Sequence, residues 1–309
     1  MKRTLVALAG LLAVGLTACG GGGDPLAGGP GGTAAEQPPA AADVIRIGSA
    51  NFTENRLLAE IYAQALEAKG VTVERQFGIG SREVYFPALQ DGSIDLIPEY
   101  SGNLLQEIDP ETTATQSDQV YQQVTEKLPD GLIVLEQSTA QNKDAVVITQ
   151  ETAQKYNARS IADLAPHCGE LVFGGPPEFA ERPYGLPGIE RLYGCTFAEF
   201  RSLDAGGPLT VSALADGSIQ AADLFTTDPT IEDRGWVALE DPKNNFAAQH
   251  VVPLINEAKA SPEVRETLNA ISAALTTEGL VQLNRQLADA ATNSVESVAT
   301  EWLAANNLA

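Results

Sequence analysis

The chain has 309 residues, of which 44% are hydrophobic and 6% aromatic, so it is long enough to bury one large core or two modest lobes. These proportions exclude a disordered or fibrous protein. Aspartate and glutamate number 41 against 19 lysine and arginine residues, which gives a formal charge of -22. A chain this acidic repels phosphate backbones and anionic lipid head groups, so we do not expect it to bind nucleic acid.

The first 18 residues have the pattern of a signal peptide. Two basic residues precede an apolar run over residues 5–16, and small residues then lead up to Cys19. This form is similar to a bacterial lipoprotein signal, in which Cys19 is lipidated and becomes the mature N-terminus; a plain secretory signal is the alternative. Residues 19–42 are rich in glycine, proline and alanine and predict a flexible linker. We therefore expect the folded part to lie outside the cytoplasmic membrane on a lipid anchor. No apolar run of about 20 residues follows, which excludes a multi-pass membrane protein.

Strands and helices alternate after the linker. The predicted elements are a strand at 44–47, a helix ending at Gly70, a strand at 71–77, a helix at 83–90 and a strand at 94–98. Residues 51–54 (NFTE) offer the first helix an N-cap with a glutamate three residues later. This order predicts an α/β fold with a parallel, doubly wound sheet.

The string AL-x-DGSI occurs twice, at residues 88–94 and at 213–219. In each copy a helix is predicted to end at Asp-Gly, because glycine adopts the left-handed backbone conformation that such a turn requires. The repeat predicts two lobes of similar design; chance reuse of a common turn is the alternative. The strands that follow end at 99–101 and 225–228, and ligands of open α/β sheets bind beyond such strand ends. We therefore expect both ends to line a crevice between the lobes.

Two cysteines, Cys168 and Cys195, remain once Cys19 is set aside. An even pair in an oxidising compartment predicts a disulfide, with two buried thiols as the alternative. Closing a loop of about 27 residues stabilises a fold by roughly 3 kcal/mol in the chain-entropy treatment. The histidines are His167 and His250, too few ligands for a zinc site.

The C-terminal part predicts a return to the first lobe. A strand at 236–239 is expected to cross between the lobes, and helices at 262–287 and 295–303 are expected to close the chain.

Sequence motifs of catalysis are missing from the chain. It has no Gly-x-Ser-x-Gly elbow, no phosphate-binding P-loop and no histidine pair at helical spacing. Gly78 and Gly80 follow a strand, but Glu83 stands where a dinucleotide fingerprint needs glycine. We therefore predict neither an enzyme nor a cofactor.

Several strings identify a family when they are taken together and in order. They are IGSANFTE at 47–54, SREVYFPAL at 81–89, IDLIPEYSG at 94–102, GGPPEF at 174–179, GLPGI at 185–189 and FTTD at 225–228. From about residue 45 onward the chain resembles the glycine betaine, choline and carnitine type osmoprotectant-binding proteins of ABC transporters. The resemblance implies a two-lobed type II periplasmic-binding-protein fold, each lobe a doubly wound sheet, joined by two hinge strands. It implies a first lobe at 43–141 and 235–309 and a second lobe at 142–234.

The resemblance also implies a function. A monomeric lipoprotein captures a small cationic or zwitterionic solute in the cleft and delivers it to a membrane permease, which a cytoplasmic ATPase powers. A sensory receptor module and an extracytoplasmic enzyme on the same fold are the alternatives.

The chemistry of such a solute sets what the cleft must contain. A trimethylammonium group has no N–H to donate, so aromatic faces and a nearby negative charge select it. Each desolvated cation–π contact contributes about 2 kcal/mol, and micromolar binding needs about 8 kcal/mol. If the solute carries a carboxylate, a guanidinium fork is its natural partner.

Only some of the binding-site residues typical of this family stand at the matching positions of this chain. Arg182 falls where relatives place a carboxylate-binding arginine. Phe86 and Phe225 fall at cage positions that are commonly tyrosine, whereas Val211 has lost the ring at another. Asp144 aligns approximately with a further cage tyrosine, so a carboxylate is expected to face the solute cation there.

Four further residues complete the predicted ligand site: Tyr85, Tyr100, Asn142 and Thr227. Tyr85 and Phe86 are neighbours on a helix, where adjacent side chains diverge by about 100°, so both are not expected to face the solute. Other roles remain open: core packing for the phenylalanines, pairing of Arg182 with Glu178 or Glu181, capping of the segment before 146–148 by Asp144, and packing of Tyr100 at the hinge. A cage with fewer rings and a carboxylate suits a primary or cyclic amine as readily as glycine betaine.

Overall fold

The computed structural model describes residues 44–288 and 293–309. The predicted signal peptide at 1–18, Cys19 and the predicted linker at 19–42 lie outside these residues. No helix in the described part of the chain is long and apolar enough to cross a membrane.

Ten strands and twelve α-helices make up the described structure. The strands are β1 (Val44–Ala50), β2 (Thr72–Gly80), β3 (Leu96–Tyr100), β4 (Leu132–Val134), β5 (Asp144–Ile148), β6 (Val172–Gly175), β7 (Glu199–Ser202), β8 (Ala221–Phe225), β9 (Val237–Ala238) and β10 (Val251–Asn256). The helices are α1 (Thr53–Ala68), α2 (Arg82–Gln90), α3 (Ser101–Ile108), α4 (Ser117–Lys127), α5 (Gln150–Tyr156), α6 (Ile161–Leu164), α7 (Leu186–Tyr193), α8 (Pro208–Ala215), α9 (Pro229–Asp233), α10 (Pro262–Ala274), α11 (Thr277–Ala288) and α12 (Val295–Ala305).

The first lobe contains a five-stranded sheet in the order β2-β1-β3-β10-β4. Strands β1, β2 and β3 are parallel, which confirms the alternation predicted for this part of the chain. Strand β10 runs antiparallel to both β3 and β4, so the sheet is mixed and not parallel as predicted. The reason is that β10 enters from the C-terminal part of the chain, which no local pattern in the first lobe reveals.

The second lobe contains a sheet in the order β7-β6-β8-β5-β9. Strand β6 is parallel to β7 and β8, whereas β5 is antiparallel to β8 and β9. The strand predicted to cross between the lobes at 236–239 is instead β9, an edge strand paired with β5. The predicted lobe boundary at 234 therefore falls before the last strand of this sheet.

Two hydrogen-bonded segments, 138–143 and 248–251, form the hinge between the lobes. Ser138 N–H donates to Val251 O at 2.9 Å, and Val251 N–H donates to Ala140 O at 3.1 Å. Asn142 N–H donates to Gln249 O at 3.0 Å. The chain thus leaves the first lobe once and returns once, which confirms two connections between the lobes. Within them Gln141 and His250 form an isolated antiparallel bridge and not a continuous strand.

The repeated AL-x-DGSI string forms the same turn in both lobes. Gly92 and Gly217 adopt φ of 76° and 78°, in the left-handed region that only glycine enters freely. Each preceding aspartate accepts a hydrogen bond at 2.8 Å from the serine N–H that follows. The strands begin two residues after the isoleucine, at Leu96 in β3 and at Ala221 in β8. The prediction of two similarly built lobes is confirmed.

The C-terminal helices differ from the prediction in one respect. The single helix expected at 262–287 is divided into α10 and α11, and Leu275 caps the end of α10. Gly279 N–H donates to Thr276 Oγ1 at 3.0 Å, which satisfies a backbone donor in the first turn of α11. Helix α12 packs on α1 in the core of the first lobe.

Cys168 and Cys195 form a disulfide, as predicted. Both residues are buried in the core of the second lobe, together with Phe173 and Phe179. The bond joins the segment that precedes β6 to the segment that follows α7.

Candidate ligand site between the lobes

A cavity of about 50 Å³ lies between the lobes where strands from both sheets end. Ala50 and Tyr100, the last residues of β1 and β3, line it from the first lobe, and Phe225, the last residue of β8, lines it from the second. The two strand ends expected to face a common crevice do so. The cavity is lined by these predicted site residues: Tyr85, Tyr100, Asn142, Asp144, Arg182 and Phe225.

Phe86 and Thr227 lie elsewhere. Phe86 does not line this cavity, whereas its helix neighbour Tyr85 does. Phe86 is buried in an apolar cluster that also contains Leu89 and Leu104. Thr227 borders a second, open cavity of about 550 Å³ that Val211 also lines. The structure therefore brings together Arg182 and Phe225 of the predicted recognition residues, but not Phe86.

Arg182 forms a two-pronged ion pair with a residue of the opposite lobe. Its Nε and Nη2 donate to the Glu83 carboxylate at 2.9 Å and 3.1 Å. Glu178, one of the two partners considered from the sequence, lies farther away at 3.8 Å. Partial burial acts to raise the pKa of Glu83, but Arg182 outweighs it and lowers that pKa to about 2. Glu83 is thus ionised at neutral pH and occupies the guanidinium fork expected to bind a solute carboxylate.

A second buried arginine, Arg82, is also paired. Its Nε and Nη2 donate to Glu99 at 2.7 Å and 2.9 Å. Tyr85 OH and Tyr100 N–H donate to the same carboxylate at 2.5 Å and 2.6 Å. Arg82 is 5% exposed and Glu99 is fully buried, so this pair is shielded from solvent. It fixes Tyr85 and Tyr100 at the wall of the cavity.

Two aspartates face the cavity from the second lobe. Asp144 accepts a hydrogen bond at 2.9 Å from Asn103 Nδ2, which reaches across from α3. Asp223 is 1% exposed, and its Oδ1 has no hydrogen-bond partner among the described residues. Burial raises the pKa of Asp223 well above its ordinary value, and the nearby Asp144 adds to this shift. Asp223 was not predicted, although a carboxylate inside the otherwise apolar strand AADLF was a usable signal.

Aromatic rings from both lobes meet at one end of the cavity. The ring of Phe52 lies 4.9 Å from that of Phe225 and 5.9 Å from that of Tyr100, centroid to centroid. Phe52 and Phe225 line both the small cavity and the larger open one. These two rings therefore form a contact between the lobes that lies between the two cavities.

Glu54 connects the first lobe, the hinge and the second lobe. Its Oε1 accepts hydrogen bonds from Tyr100 OH at 2.7 Å and from Asn142 Nδ2 at 2.8 Å. Its Oε2 accepts from Thr227 Oγ1 at 2.5 Å and from Asn284 Nδ2 at 2.6 Å. Burial raises the pKa of Glu54, although these hydrogen bonds oppose the shift.

The helix cap predicted at 51–54 is wrong. Phe52 is the N-cap of α1, and its side chain has no oxygen to accept a capping bond. The Glu54 carboxylate accepts hydrogen bonds from four other side chains. Sequence reasoning missed this role because NFTE also fits a capping pattern. Within 44–288 and 293–309, no cluster of three or more metal-ligating side chains is present.

Comparisons with known proteins agree on one family. Residues 43–305 match the substrate-binding domain of the ABC-type glycine betaine transport system. The glycine-betaine-binding protein of Pseudomonas aeruginosa PAO1 is 30% identical over 285 residues, which cover 87% of this chain and 90% of that protein. The glycine betaine-binding protein YehZ of Escherichia coli K12 is 30% identical over 266 residues, or 81% of this chain and 87% of that protein.

A solved structure shares the fold. The crystal structure of a glycine betaine/carnitine/choline ABC transporter superimposes with a TM-score of 0.67 at 22% identity, covering 85% of this chain and 99% of the other. The two-lobed α/β architecture expected from the sequence is confirmed by this likeness.

Proposed function

The chain belongs to the family of substrate-binding domains of ABC-type glycine betaine transport systems, and from this we propose that it captures a small cationic or zwitterionic solute between its lobes. The solute is of the glycine betaine, choline or carnitine type, and the protein delivers it unchanged to a membrane permease. The observation that carries this proposal is a cavity between the lobes with acidic side chains, rings and two guanidinium groups in its wall.

The charge of the cavity wall supports a cationic solute. Arg82 and Arg182 are each bound by a glutamate, so their positive charge is already balanced. Asp144 and Asp223 add two acidic side chains that form no ion pair with an arginine or lysine in the described part of the chain. We propose that both aspartates attract the solute's cationic nitrogen, while Phe225 and the ring of Tyr100 cover its apolar part.

The hinge supports binding by closure. Contacts from both lobes reach the cavity, so a solute that touches both favours the closed arrangement over an open one. We propose that Tyr85 and Asn142 contribute to the cavity wall and that Thr227 acts indirectly through Glu54.

We also propose that the protein is extracytoplasmic, monomeric and anchored by a lipid on Cys19. The signal-like residues 1–18 support this proposal. In a bacterial host, Cys19→Ala is expected to move the protein from the membrane fraction to the soluble extracytoplasmic fraction. A variant that stays in the membrane fraction contradicts the lipid anchor.

A thermal-shift panel tests the binding function. Glycine betaine, choline, carnitine, proline betaine and ergothioneine are added separately to the purified protein, and hits are measured by calorimetry. A ligand at about 100 times its Kd stabilises the folded state by about 2.7 kcal/mol, so a saturating rise in Tm is expected for at least one solute. No rise and no calorimetric heat for any member, or for their N–H-bearing counterparts, contradicts the proposed function.

The pair of Glu83 and Arg182 gives a sharper prediction. We propose that a solute carboxylate competes with Glu83 for the guanidinium, so Arg182→Ala is expected to weaken binding of glycine betaine or carnitine at least about tenfold. Glu83→Gln frees the guanidinium and is expected to strengthen binding of the same solutes. Choline has no carboxylate and serves as the control, because an effect on lobe closure alone changes its affinity equally. Parallel changes for choline and carnitine contradict the carboxylate-binding role.

A further inference from the structure

Asp223 is a buried acceptor without a donor. It lies in β8 opposite Val146 of β5, lines the cavity and is 1% exposed. No described residue donates a hydrogen bond to its Oδ1. A buried carboxylate oxygen left without a partner costs free energy, and a bound solute that donates a hydrogen bond would remove this cost.

A second unsatisfied acceptor lines the same cavity. Asn142 is 5% exposed, and its Oδ1 also lacks a partner among the described residues. Its Nδ2 donates to Glu54 Oε1 at 2.8 Å, so the amide nitrogen already has a partner. The unused atom is therefore the oxygen, which needs a donor just as Asp223 Oδ1 does.

The neighbouring cations do not meet this need. Arg82 and Arg182 direct their guanidinium groups to Glu99 and Glu83 through two hydrogen bonds each. Glu178 lines the cavity as well, which adds another carboxylate. Neither guanidinium donates a hydrogen bond to Asp223 Oδ1 or Asn142 Oδ1, so both oxygens need a donor from outside the described chain.

The aromatic rings that line the cavity do not form a cage around a cation. Phe52 contacts the rings of both Phe225 and Tyr100 in tilted arrangements, so these rings already have an aromatic neighbour. A quaternary ammonium group, which has only methyl hydrogens to offer, would leave Asp223 Oδ1 and Asn142 Oδ1 unsatisfied. A nitrogen that carries a hydrogen would satisfy at least one of them.

We propose that the solute bound in this cavity is a protonated amine with at least one N–H on its cationic nitrogen, and that Asp223 and Asn142 accept its hydrogen bonds. This inference rests on the proposed capture of a small cationic solute, and it departs from the quaternary examples by assigning the cavity to their N–H-bearing counterparts. A site built around such an acceptor discriminates strongly against an analogue that lacks the donor.

Two pairs of probes that differ by one N-methyl group test the proposal. They are glycine betaine against dimethylglycine and choline against N,N-dimethylethanolamine, titrated by calorimetry at pH 7, where the tertiary amines are protonated. A cavity of rings alone favours the methylated member, because its cation is less strongly hydrated. The N–H proposal reverses this order, and the demethylated member is expected to bind at least about tenfold more tightly.

Asp223→Asn is the diagnostic variant. Its control is Asp130→Asn, which removes an exposed carboxylate that does not line the cavity. The preference for the demethylated member is expected to shrink to within about twofold in Asp223→Asn and to persist in Asp130→Asn. The Tm of empty Asp223→Asn is expected to equal or exceed that of the parent, since a buried unpaired carboxylate has been removed. A normal Tm shows that a lost preference is not a folding defect.

Each other outcome overturns the proposal. Tighter binding of the quaternary member, or a preference unchanged by Asp223→Asn, contradicts the N–H contact while leaving the binding function standing. If neither demethylated probe binds, the proposed class is wrong, and the wider solute panel decides separately whether the protein binds quaternary solutes.

Discussion

Replacing Glu54 with alanine is expected to lower the free energy of unfolding by at least about 3 kcal/mol, because each buried donor left without an acceptor costs about 1–3 kcal/mol. The carboxylate serves four side chains: Tyr100, Asn142, Thr227 and Asn284. They come from the end of β3, the hinge, the loop after β8 and helix α11. Urea denaturation followed by circular dichroism measures the change.

Thr53→Ala is the matched control for this variant. Thr53 is the adjacent residue of α1 and is exposed, so its replacement is expected to change the stability by less than about 0.5 kcal/mol. A Glu54→Ala variant as stable as Thr53→Ala would show that the network contributes little. Because Glu54 joins both lobes, its loss is also expected to weaken binding of every solute to a similar degree.

Arg82→Ala is expected to destabilise the protein by about 3–5 kcal/mol, the usual cost of removing one partner of a buried ion pair. Glu99 is fully buried and would be left with only Tyr85 OH and Tyr100 N–H as donors. The double variant Arg82→Met with Glu99→Leu removes both charges and is expected to recover much of the loss. The measurement is again the free energy of unfolding in urea.

An exposed ion pair provides the comparison for Arg82. Arg201 and Glu199 lie 3.2 Å apart with both side chains largely exposed, so Arg201→Ala is expected to cost less than about 1 kcal/mol. If Arg82→Ala and the double variant are equally unstable, the cost comes from lost packing and not from the uncompensated carboxylate. Equal stability of Arg82→Ala and Arg201→Ala would contradict the buried-pair argument itself.

The sequence predicts those features of the fold that depend on local patterns. Alternating strands and helices, the repeated Asp-Gly turn and the cysteine pair all act within short stretches, and the structure contains each of them. The antiparallel insertion of β10 depends on a pairing between residues about 150 positions apart, such as Tyr100 with Val251. Hydrophobic periodicity does not indicate which distant strand a segment pairs with.

The site is predictable only in part for the same reason. Family motifs indicated Arg182 and Asp144, and both line the cavity. They did not indicate that Glu83 of the opposite lobe pairs with Arg182, since the contact spans 99 positions in the chain. Phe86 was misplaced because a helix presents neighbouring residues to different sides, and sequence alone does not say which side faces the cleft.

The position of β10 has a consequence for how the protein is made. This strand lies between β3 and β4, yet it comes from residues 251–256, after the whole of the second sheet. A ribosome therefore supplies every strand of the second sheet, through Ala238, before it supplies the strand that joins the two parts of the first. Domains generally fold as units while synthesis proceeds. In this chain the order of completion is inverted, and the lobe that begins first is finished last.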